Sequence, residues 1–503
     1  MIIPIERRGA RPVFRQIVDY LRRAIEAGRL EPGTKLQPIR LLARELGLNR
    51  ETVADAYREL EALGLTESGV GRGTFVLPRP VQAVERAVVP RAPDRAFVPM
   101  FSRTAEAVGA HPVVDYTAGP RALRLERLVP DPRLYPVDEF RKALGRALQR
   151  GGAALLDYGD PRGHESLRRV LVERLAHSGI EADADDVVIT GGSTQGLAIV
   201  VRLFCDAGDA VVVECPTYPG TLTTLRAAGL RAVPVPLTPT GLDLDALDVL
   251  LARGGVRLVY TMPSFQNPTG ISTTLEHRQR LLEITARHGV PVLEDDFEKD
   301  LRVRGRPTPP LKALDRTGNV IYVGTFSKAL FPGVRVGWIV GGRRVAGAAV
   351  SFKHALDLTT SPMLQAGLAA FCRAGGYDRH VRRVAKEVER RLARAFTALE
   401  RHLPEGTTFA RPDGGLTIWV TLPEAIDTLA LLPAAREAGI VYAPGQIFFP
   451  DGRRSSSLRL SIAQVSPEEV ERAARILGEV ARAALPQRRA NRASHDDGPR
   501  VHV

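Results

Sequence analysis

Short apolar runs alternate with helix-length segments over most of this chain, from about residue 113 to residue 485. Runs that are apolar on both faces and rich in β-branched residues are typical of a parallel sheet buried between helices. The clearest runs are DVVIT (186–190), AVVVEC (210–215), VRLVYTMP (256–263), VPVLEDD (290–296) and VIYVGTF (320–326). This pattern predicts an α/β fold with a mainly parallel, doubly wound sheet that binds ligands beyond the carboxyl ends of its strands.

The first 76 residues follow a helical period instead. One apolar face is formed by Phe14, Ile17, Val18, Leu21 and Ile25. A second short helix is expected from Arg40 to Leu46, ended by Gly47, and a third from Arg50 to about Leu63, capped by Asn49. The segment LTESGVGRGTFV then predicts two short strands around a glycine-rich turn. Together these elements predict a winged helix-turn-helix.

A winged helix-turn-helix binds DNA by placing the start of its third helix in the major groove. Arg50 and Thr52 would then reach base edges or phosphates, and Arg72 on the wing would reach the adjacent backbone. Small three-helix modules also mediate protein contacts, so the pattern leaves both roles open.

Composition divides the chain further. Proline is frequent in residues 77–112, which predicts a linker, and the polar residues 486–503 predict a disordered tail. The two domains are therefore expected at 1–76 and 113–485. The net charge of +13 suits a nucleic-acid partner, but a generally arginine-rich composition would produce it as well.

The cysteines and the apolar runs indicate the compartment. The three cysteines are far apart, which predicts reduced thiols and no metal site. No apolar run reaches the ~20 residues that a membrane span requires, and the N-terminus lacks the pattern of a secretion signal. We therefore expect a cytoplasmic protein.

Lys328 stands in GTFSKALFPGVRVGW (324–338) and is one of only seven lysines in the chain. Lysine condenses with an aldehyde when its amine is unprotonated, and pyridoxal phosphate (PLP) carries such an aldehyde. A protein that uses PLP must also hold the phosphate, pair the pyridine nitrogen with an acid, cover the ring and bind the substrate carboxylate.

Candidates for each of these tasks follow the apolar runs. Phosphate binding is predicted for Ser193 and Thr194, where TGGSTQG opens a helix, and for Thr325 and Arg335. The remaining tasks are assigned to an acid of VLEDDF for the pyridine nitrogen, Tyr218 for stacking, Asn267 for the ring oxygen and Arg459 for the carboxylate. Taken singly these signals are weak, because GGSTQG is a common turn and Arg459 also fits an exposed strand position.

The run LARELGLNRETVADAYRELEALGL, followed by GRGTFV, resembles the winged helices of GntR-family bacterial regulators. The resemblance implies that DNA is contacted by Arg40, Arg50, Thr52, Arg72 and Gly73. The glycine would let the wing approach the DNA backbone closely. Two serines that are usual in this family are replaced here, by Ile39 or Pro38 and by Asn49. Because those serines help to hold phosphate, we expect an altered DNA affinity or sequence preference.

Residues 113–485 resemble fold-type I aminotransferases of class I/II. The motifs LDYGDPRGHESLR, TGGSTQGL, ECPTYPG, PSFQNPTG, EDDF, GTFSKALFPGVRVGW and SSLRLSIA occur in the family's order and spacing. The resemblance implies a smaller C-terminal α+β subdomain, PLP joined to Lys328, and Asp295 at the pyridine nitrogen, with Asp296 as the alternative. It assigns to the cofactor Asn267, Tyr218, Ser193, Thr194, Thr325 and Arg335, and to the substrate Arg459 with Asn267. Tyr158 would reach the phosphate of a partner subunit, which makes a dimer necessary.

One position departs from the family's pattern. A tyrosine that usually follows the acidic pair and donates to the ring oxygen is replaced by Phe297. Without that phenol we expect the imine nitrogen to hold its proton more firmly, and the exchange of amines at the cofactor to be poor.

The two resemblances together match the MocR (GabR-like) branch of GntR regulators. They imply a head-to-tail dimer that binds double-stranded DNA and senses an amino acid, an amine or PLP through the large domain. The competing interpretations are a working aminotransferase with an accessory DNA-binding module, and a remnant domain without PLP that serves only dimerisation.

Overall fold

A computed structural model describes residues 3–6, 12–69, 72–78, 101–109 and 114–485. The chain forms two compact units, Met1–Met100 and Phe101–Val503. The predicted tail, 486–503, and most of the predicted linker lie outside the described residues. Within the described residues, no helix combines the length and the apolar composition that crossing a bilayer requires.

The N-terminal unit is a winged helix-turn-helix, as the sequence predicts. Its elements are α1 Val13–Glu26, α2 Ile39–Leu46, α3 Arg50–Ala62, β1 Thr66–Gly69 and β2 Gly73–Val76. The strands β1 and β2 pair antiparallel and form the wing. Gly47 ends α2 in the left-handed conformation, and the side chain of Asn49 caps α3 by accepting from the backbone N–H of Glu51. Ile17, Val53 and Leu60, all fully buried, hold the helices together.

The second unit begins with a helix inside the predicted linker. This helix is Arg103–Gly109, and Ser102 accepts a hydrogen bond from the backbone N–H of Ala105 at its start. The helices of this unit, in chain order, are α4 Arg103–Gly109, α5 Val137–Gly151, α6 Glu165–His177, α7 Ser193–Phe204, α8 Pro219–Ala227, α9 Leu244–Ala252, α10 Leu275–Arg287, α11 Leu311–Leu314, α12 Arg343–Asp357, α13 Pro362–Arg373, α14 Gly376–His402, α15 Thr428–Glu437 and α16 Pro467–Ala484.

The strands of this unit include all five runs that the sequence predicts. They are β3 Leu123–Arg124, β4 Val187–Thr190, β5 Ala210–Cys215, β6 Arg231–Thr238, β7 Gly241–Leu242, β8 Val256–Thr261, β9 Val292–Asp295, β10 Val320–Thr325, β11 Gly337–Val340, β12 Thr408–Phe409, β13 Thr417–Thr421, β14 Ile440–Val441, β15 Ala443–Pro444 and β16 Ser457–Ser461.

The main sheet has the strand order β4-β11-β10-β9-β8-β5-β6-β7. Among the described strands of this sheet, the pairs that involve β11 and β7 are antiparallel, and the other pairs are parallel. Separate apolar clusters cover the two faces, one around Ile189, Tyr322 and Trp338 and another around Val188 and Ile321. The predicted α/β fold with a mainly parallel sheet is thereby confirmed, and the carboxyl ends of β5, β8, β9 and β10 meet at one edge.

The C-terminal part forms a smaller α+β subdomain around the sheet β12-β13-β16-β15. The helices α14 and α16 pack on each other through Leu392, Leu399 and Leu477. Trp419 of β13 is paired with Arg459 of β16. This pairing places Arg459 in a buried strand of the subdomain rather than in an exposed one, with only 7% of the residue accessible.

Candidate functional site

Lys328 lies just beyond the carboxyl end of β10. Its Nζ donates a hydrogen bond to the backbone oxygen of Leu128 at 2.6 Å. Burial lowers the pKa of Lys328; the charges of Glu298 and Asp295 oppose that shift, while those of Arg459 and Arg335 add to it. A lysine with a lowered pKa holds a larger fraction of its amine unprotonated, which is the form that attacks an aldehyde.

The adjacent acids Asp295 and Asp296 point into different surroundings. Asp295 ends β9, where it is paired with Val323 of β10, and its Oδ2 accepts a hydrogen bond from Tyr260 at 2.9 Å. Burial raises the pKa of Asp295 to about 7, and the charge of Lys328 lowers it. Among the described residues, Oδ1 of Asp295 has no hydrogen-bond partner.

Asp296 accepts a hydrogen bond from Tyr322 at 3.0 Å. Burial raises its pKa, and the nearby cations that oppose this shift are Lys299 and Arg278. The charge of Lys328 acts on Asp295, whereas the strongest opposite charges on Asp296 are those of Lys299 and Arg278. These electrostatic surroundings favour Asp295 as the acid that shares a site with Lys328.

Arg459 and Asn267 are joined by a hydrogen bond. The Nη1 of Arg459 donates to Oδ1 of Asn267 at 3.0 Å, and its Nη2 donates to the backbone oxygen of Glu126 at 2.7 Å. The Nε of Arg459 has no partner within the part of the chain that the structure describes. The guanidinium also lies over the ring of Phe448, with 5.1 Å between the guanidinium carbon and the ring centroid.

The loop that carries Asn267 is held by Glu214, a buried acid that the sequence analysis did not single out. Glu214 accepts hydrogen bonds from the backbone N–H of Met262 at 2.9 Å and from Nε2 of Gln266 at 3.0 Å. Burial raises the pKa of Glu214, and hydrogen bonds from Thr261 and Gln266 lower it. Glu214 therefore positions Asn267 through the residue that precedes it.

The predicted phosphate site is assembled at the N-terminus of α7. Ser193 is the first residue of the helix, and the preceding Gly192 has a φ of 107°, which favours glycine. A Cβ atom on Gly192 would lie 2.7 Å from Nη2 of Arg335. Arg335 itself has a φ of 48°, and its Nη2 donates to the backbone oxygen of Gly191 at 2.7 Å.

A series of hydrogen bonds links the turn before α7 to the helix α12. Gln195 accepts from the backbone N–H of Gly191 at 2.7 Å and donates to Asp357 at 2.9 Å. Asp357 in turn accepts from the fully buried Lys353 at 2.9 Å. Sequence reasoning missed this connection because it joins α7 to α12, more than 150 residues away in the chain.

Thr194 and Thr325, which are also predicted to bind the phosphate, have other surroundings than Ser193 and Arg335. Thr194 is exposed at the start of α7. The Thr325 hydroxyl is within hydrogen-bond distance of Oγ of Ser327 (3.0 Å) and of the backbone oxygen of Val336 (3.2 Å), so it already has partners in its own turn. Ser327, buried next to Lys328, is a further hydroxyl at this point.

Tyr218 shares its electrostatic surroundings with the other candidates. Burial raises its pKa, Asp295 raises it further, and Arg459 and Arg335 lower it. These charges come from separate segments of the chain and include residues predicted to bind the phosphate and the carboxylate. Tyr158 is not brought to this site and has 76% of its residue exposed.

Phe297 and Glu298 follow the acidic pair, and Glu298 adds a buried carboxyl group to the candidate site. Phe297 belongs to the apolar cluster against which Tyr218 packs. The next residue, Glu298, is 1% exposed, and the charges that act on it are those of Lys328 and Arg459. The sequence analysis considered Phe297 and overlooked Glu298, because the spacing of residues does not show which of them faces Lys328.

These side chains fit PLP. The buried Oδ1 of Asp295 lacks a partner among the described residues and suits a cationic ring nitrogen. The start of α7, with Gly192 and Arg335, offers the N–H groups and the positive charge that bind a phosphate. Lys328 offers the amine.

The residues predicted to contact DNA lie on the surface of the N-terminal unit. Arg40, Arg50 and Arg72 are exposed, and Thr52 is half-buried. Gly73 has a φ of 105°, and a Cβ atom there would lie 2.6 Å from Cε of Lys35. The Lys35 amine lies 5.6 Å from the ring centroid of Phe75 on the wing, and it adds a cation that the sequence analysis did not name.

Comparison with known proteins matches both units. The profile of the family "Aminotransferase class I and II" matches residues 130–477, and that of "Bacterial regulatory proteins, gntR family" matches residues 14–76. The "Probable rhizopine catabolism regulatory protein MocR" of Rhizobium meliloti is 33% identical over 88% of this chain and 88% of its own length.

Aminotransferases match a smaller share of the chain. "Aromatic-amino-acid aminotransferase 1" of Thermococcus litoralis is 33% identical over 70% of this chain and 86% of its own length. The crystal structure of LysN, the alpha-aminoadipate aminotransferase of Thermus thermophilus complexed with N-(5'-phosphopyridoxyl)-L-leucine, has a TM-score of 0.71 and 32% identity. The match covers 77% of this chain and 98% of LysN.

Proposed function

Because this chain belongs to the aminotransferase class I and II family and carries a GntR-type DNA-binding domain, as MocR-like regulators do, we propose that it is a PLP-dependent transcriptional regulator. It acts in the cytoplasm on double-stranded DNA and senses an amino acid or amine through its aminotransferase-like domain. The observation that carries this proposal is the convergence of Lys328, Asp295 and Arg459 in a chain that begins with a winged helix.

The residues divide the work of holding the cofactor. Ser193, Thr194, Thr325 and Arg335 bind the phosphate, with the N–H groups at the start of α7 as further donors. Asp295 pairs with the pyridine nitrogen and is itself oriented by Tyr260. When bound, PLP supplies an aldehyde that condenses with primary amines and a ring that withdraws electrons.

The remaining residues select and orient the ligand. Lys328 presents the amine that attaches the cofactor, Tyr218 covers the ring, and Asn267 donates to the ring oxygen. Arg459 binds the carboxylate of an amino acid ligand, because its planar guanidinium forms paired hydrogen bonds with a carboxylate. Since Asn267 and Arg459 contact each other, binding at one position constrains the other.

The signal passes from this pocket to DNA through a dimer. We expect two chains to associate head to tail, with Tyr158 of each chain reaching the phosphate of the other. The exposed position of Tyr158 supports this role, since it lies outside its own chain's site. A ligand that changes the closure of the large domain would then change the spacing of the two α3 helices on DNA.

A working aminotransferase is the second candidate function. The residues around Lys328 support an aminotransferase as well as they support a regulator. The two candidates differ in what the ligand changes. We would measure binding of the full-length protein to DNA flanking its own gene, with and without PLP and with each of a set of amino acids and amines. Transfer of the amino group to a keto acid would be measured on the same samples.

A change in DNA affinity on adding PLP or an amino compound would support the regulator. Absence of DNA binding at low salt, together with rapid transfer of the amino group, would establish the enzyme instead. Absence of a borohydride-stable adduct on Lys328 would contradict both candidates.

A further inference from the structure

A buried carboxyl group emerges at the same end of the sheet as the reactive lysine. Glu298 follows the end of β9 by three residues, and Lys328 follows the end of the neighbouring β10 by three residues. Since β9 and β10 are parallel and paired, both side chains emerge beyond the same edge of the sheet. Glu298 and Lys328 are each the strongest opposite charge acting on the other.

Only one oxygen of Glu298 is occupied. Its Oε2 accepts a hydrogen bond from the backbone N–H of Leu416 at 3.2 Å, and a Cβ atom on Gly415 would lie 2.8 Å from the same oxygen. Its Oε1 has no hydrogen-bond partner among the described residues, although Glu298 is only 1% exposed. A buried carboxylate oxygen without a partner is costly, so a group that donates to it is expected.

The charges around the pair leave Glu298 as the main counter-ion of the lysine. Lys328 is surrounded by the acids Glu298 and Asp295 and by the cations Arg459 and Arg335. Asp295 is engaged with Tyr260 and, under the proposed function, with the cofactor. The charged groups that act on Glu298 are Lys328 and Arg459. The Nη1 and Nη2 atoms of Arg459 donate to Asn267 and to the backbone oxygen of Glu126 and not to Glu298.

We propose that Glu298 is the counter-ion that favours the protonated form of the free Lys328 amine and so offsets part of the effect of burial, an inference that rests on the proposed function. An amine ligand that takes the place of Lys328 on the cofactor then releases the lysine as an ion-paired ammonium group. In that exchange the carbon–nitrogen double bond to Lys328 breaks and one to the ligand nitrogen forms. The two hydrogens of the neutral ligand amine and the proton that the imine carried end on the lysine nitrogen, with no net oxidation.

The pairing of Glu298 with Lys328 favours sensing of a ligand over catalysis. A protonated lysine cannot remove a proton from a bound ligand, because it has no lone pair to accept one. Glu298 therefore favours capture of the ligand over its conversion. Through Leu416, which precedes β13, the same carboxyl also connects Lys328 to the subdomain that carries Arg459.

The test is the pH dependence of Lys328 reactivity in the full-length apo-protein. PLP is added at a series of pH values, the product is reduced with borohydride after short times, and peptide mass spectrometry counts the adduct on Lys328. In Glu298→Gln, which keeps an acceptor for Leu416, the midpoint pH for the reaction should fall by about 1–3 units, the range for loss of a neighbouring opposite charge. Glu298→Asp should give a midpoint between those of Glu298→Gln and the wild type.

The matched control is Glu294→Gln, which removes a buried carboxyl from the same strand end. Glu294 accepts from the backbone N–H groups of Leu311 and Lys312. The acids that act most strongly on Lys328 are Glu298 and Asp295. The midpoint of Glu294→Gln should equal that of the wild type. A Glu298→Gln midpoint equal to the wild type would overturn the inference, and if that variant does not fold, an unshifted Glu298→Asp midpoint would do so. A wild-type protein without any adduct on Lys328 would instead overturn the proposed function.

Discussion

The Nη1 of Arg459 lies 3.0 Å from Oδ1 of Asn267, although 192 positions separate the two residues. The contact joins the small subdomain to the loop after β8 and leaves Nε of Arg459 without a partner among the described residues. A guanidinium that is held by two of its nitrogens is already oriented when a carboxylate arrives. Less side-chain entropy is then lost on binding.

Replacing Arg459 should separate amino acid ligands from simple amines. A hydrogen-bonded contact with a charged group contributes about 1.5–3 kcal/mol, so Arg459→Gln should weaken amino acid binding by about 10- to 150-fold. Absorbance titration of the PLP-loaded protein measures this affinity. An amine without a carboxylate is the control ligand, and its affinity should change by less than about threefold. Equal losses for both ligands would show that Arg459 does not bind the carboxylate.

Removing the hydroxyl that orients Asp295 should weaken PLP binding in a pH-dependent way. Tyr260 lowers the pKa of Asp295 against the effect of burial, so Tyr260→Phe should raise it further. Asp295 then stays protonated to a higher pH and cannot pair with a cationic ring nitrogen, so the loss of affinity should be larger at pH 6 than at pH 8. The dissociation constant of PLP at the two pH values measures the effect.

Tyr322→Phe is the matched control for this prediction, because it removes the corresponding hydroxyl from Asp296. It should leave the pH dependence of PLP binding close to that of the wild type. The reverse outcome, in which only Tyr322→Phe changes that dependence, would assign the ring nitrogen to Asp296.

Exposed arginines of the winged helix should control the salt dependence of DNA binding. Each phosphate contact contributes about 0.9 to the slope of log affinity against log salt. Arg50→Ala and Arg72→Ala should each reduce the slope by up to about that amount. Fluorescence anisotropy over a range of salt concentrations measures it. Arg58→Ala is the control, because Arg58 is paired with Asp55 on the same helix; an equal effect there would argue against a specific role for Arg50.

Mixed dimers should show whether Tyr158 acts across subunits. Tyr158→Ala and Lys328→Ala homodimers should each lack a complete site. A mixed dimer contains one chain with Lys328 that receives Tyr158 from the other chain, so one site in two is restored. Tight PLP binding with about one PLP per mixed dimer is the expected result. If mixing restores no binding, Tyr158 does not serve the partner's site.

The apo-protein should lose stability as the pH rises from about 4.5 to about 8. Burial raises the pKa of Glu294 to about 8 and that of Asp295 to about 7. Such groups are protonated in the folded state and ionised in the unfolded state within this window. Their stabilising effect is therefore complete at low pH and is lost as the pH rises.

Chemical denaturation at pH 5, 6, 7 and 8 measures this loss. Glu294→Gln removes one of the groups and should make the slope shallower by up to about 1.4 kcal/mol per pH unit. Glu165→Gln, at an exposed position paired with Arg169, is the control and should keep the wild-type slope. A wild-type stability that rises over this range would contradict the buried protonated state.

Local patterns in the chain were sufficient for the three helices and the wing of the N-terminal unit, for five buried strands of the main sheet and for the motifs. The apolar period of α1, the cap at Asn49 and the five buried runs act over a few residues, so their neighbours in sequence determine them. The order of motifs likewise identified Lys328 and Arg459 as candidates. The antiparallel β11 was not predicted, because pairing direction depends on strands far apart in the chain.

Only the contacts between distant segments of the chain determine the surroundings of each candidate residue. Adjacent positions such as Asp295 and Asp296 are equivalent in the sequence, yet their charge partners are Lys328 for one and Lys299 for the other. Glu298 carried no signal of its own, since a charged residue after a strand is usually solvated. It became a candidate only because folding excludes water around its carboxyl and brings the charge of Lys328 to act on it. An electrostatic interaction depends on distance and burial and not on position in the chain.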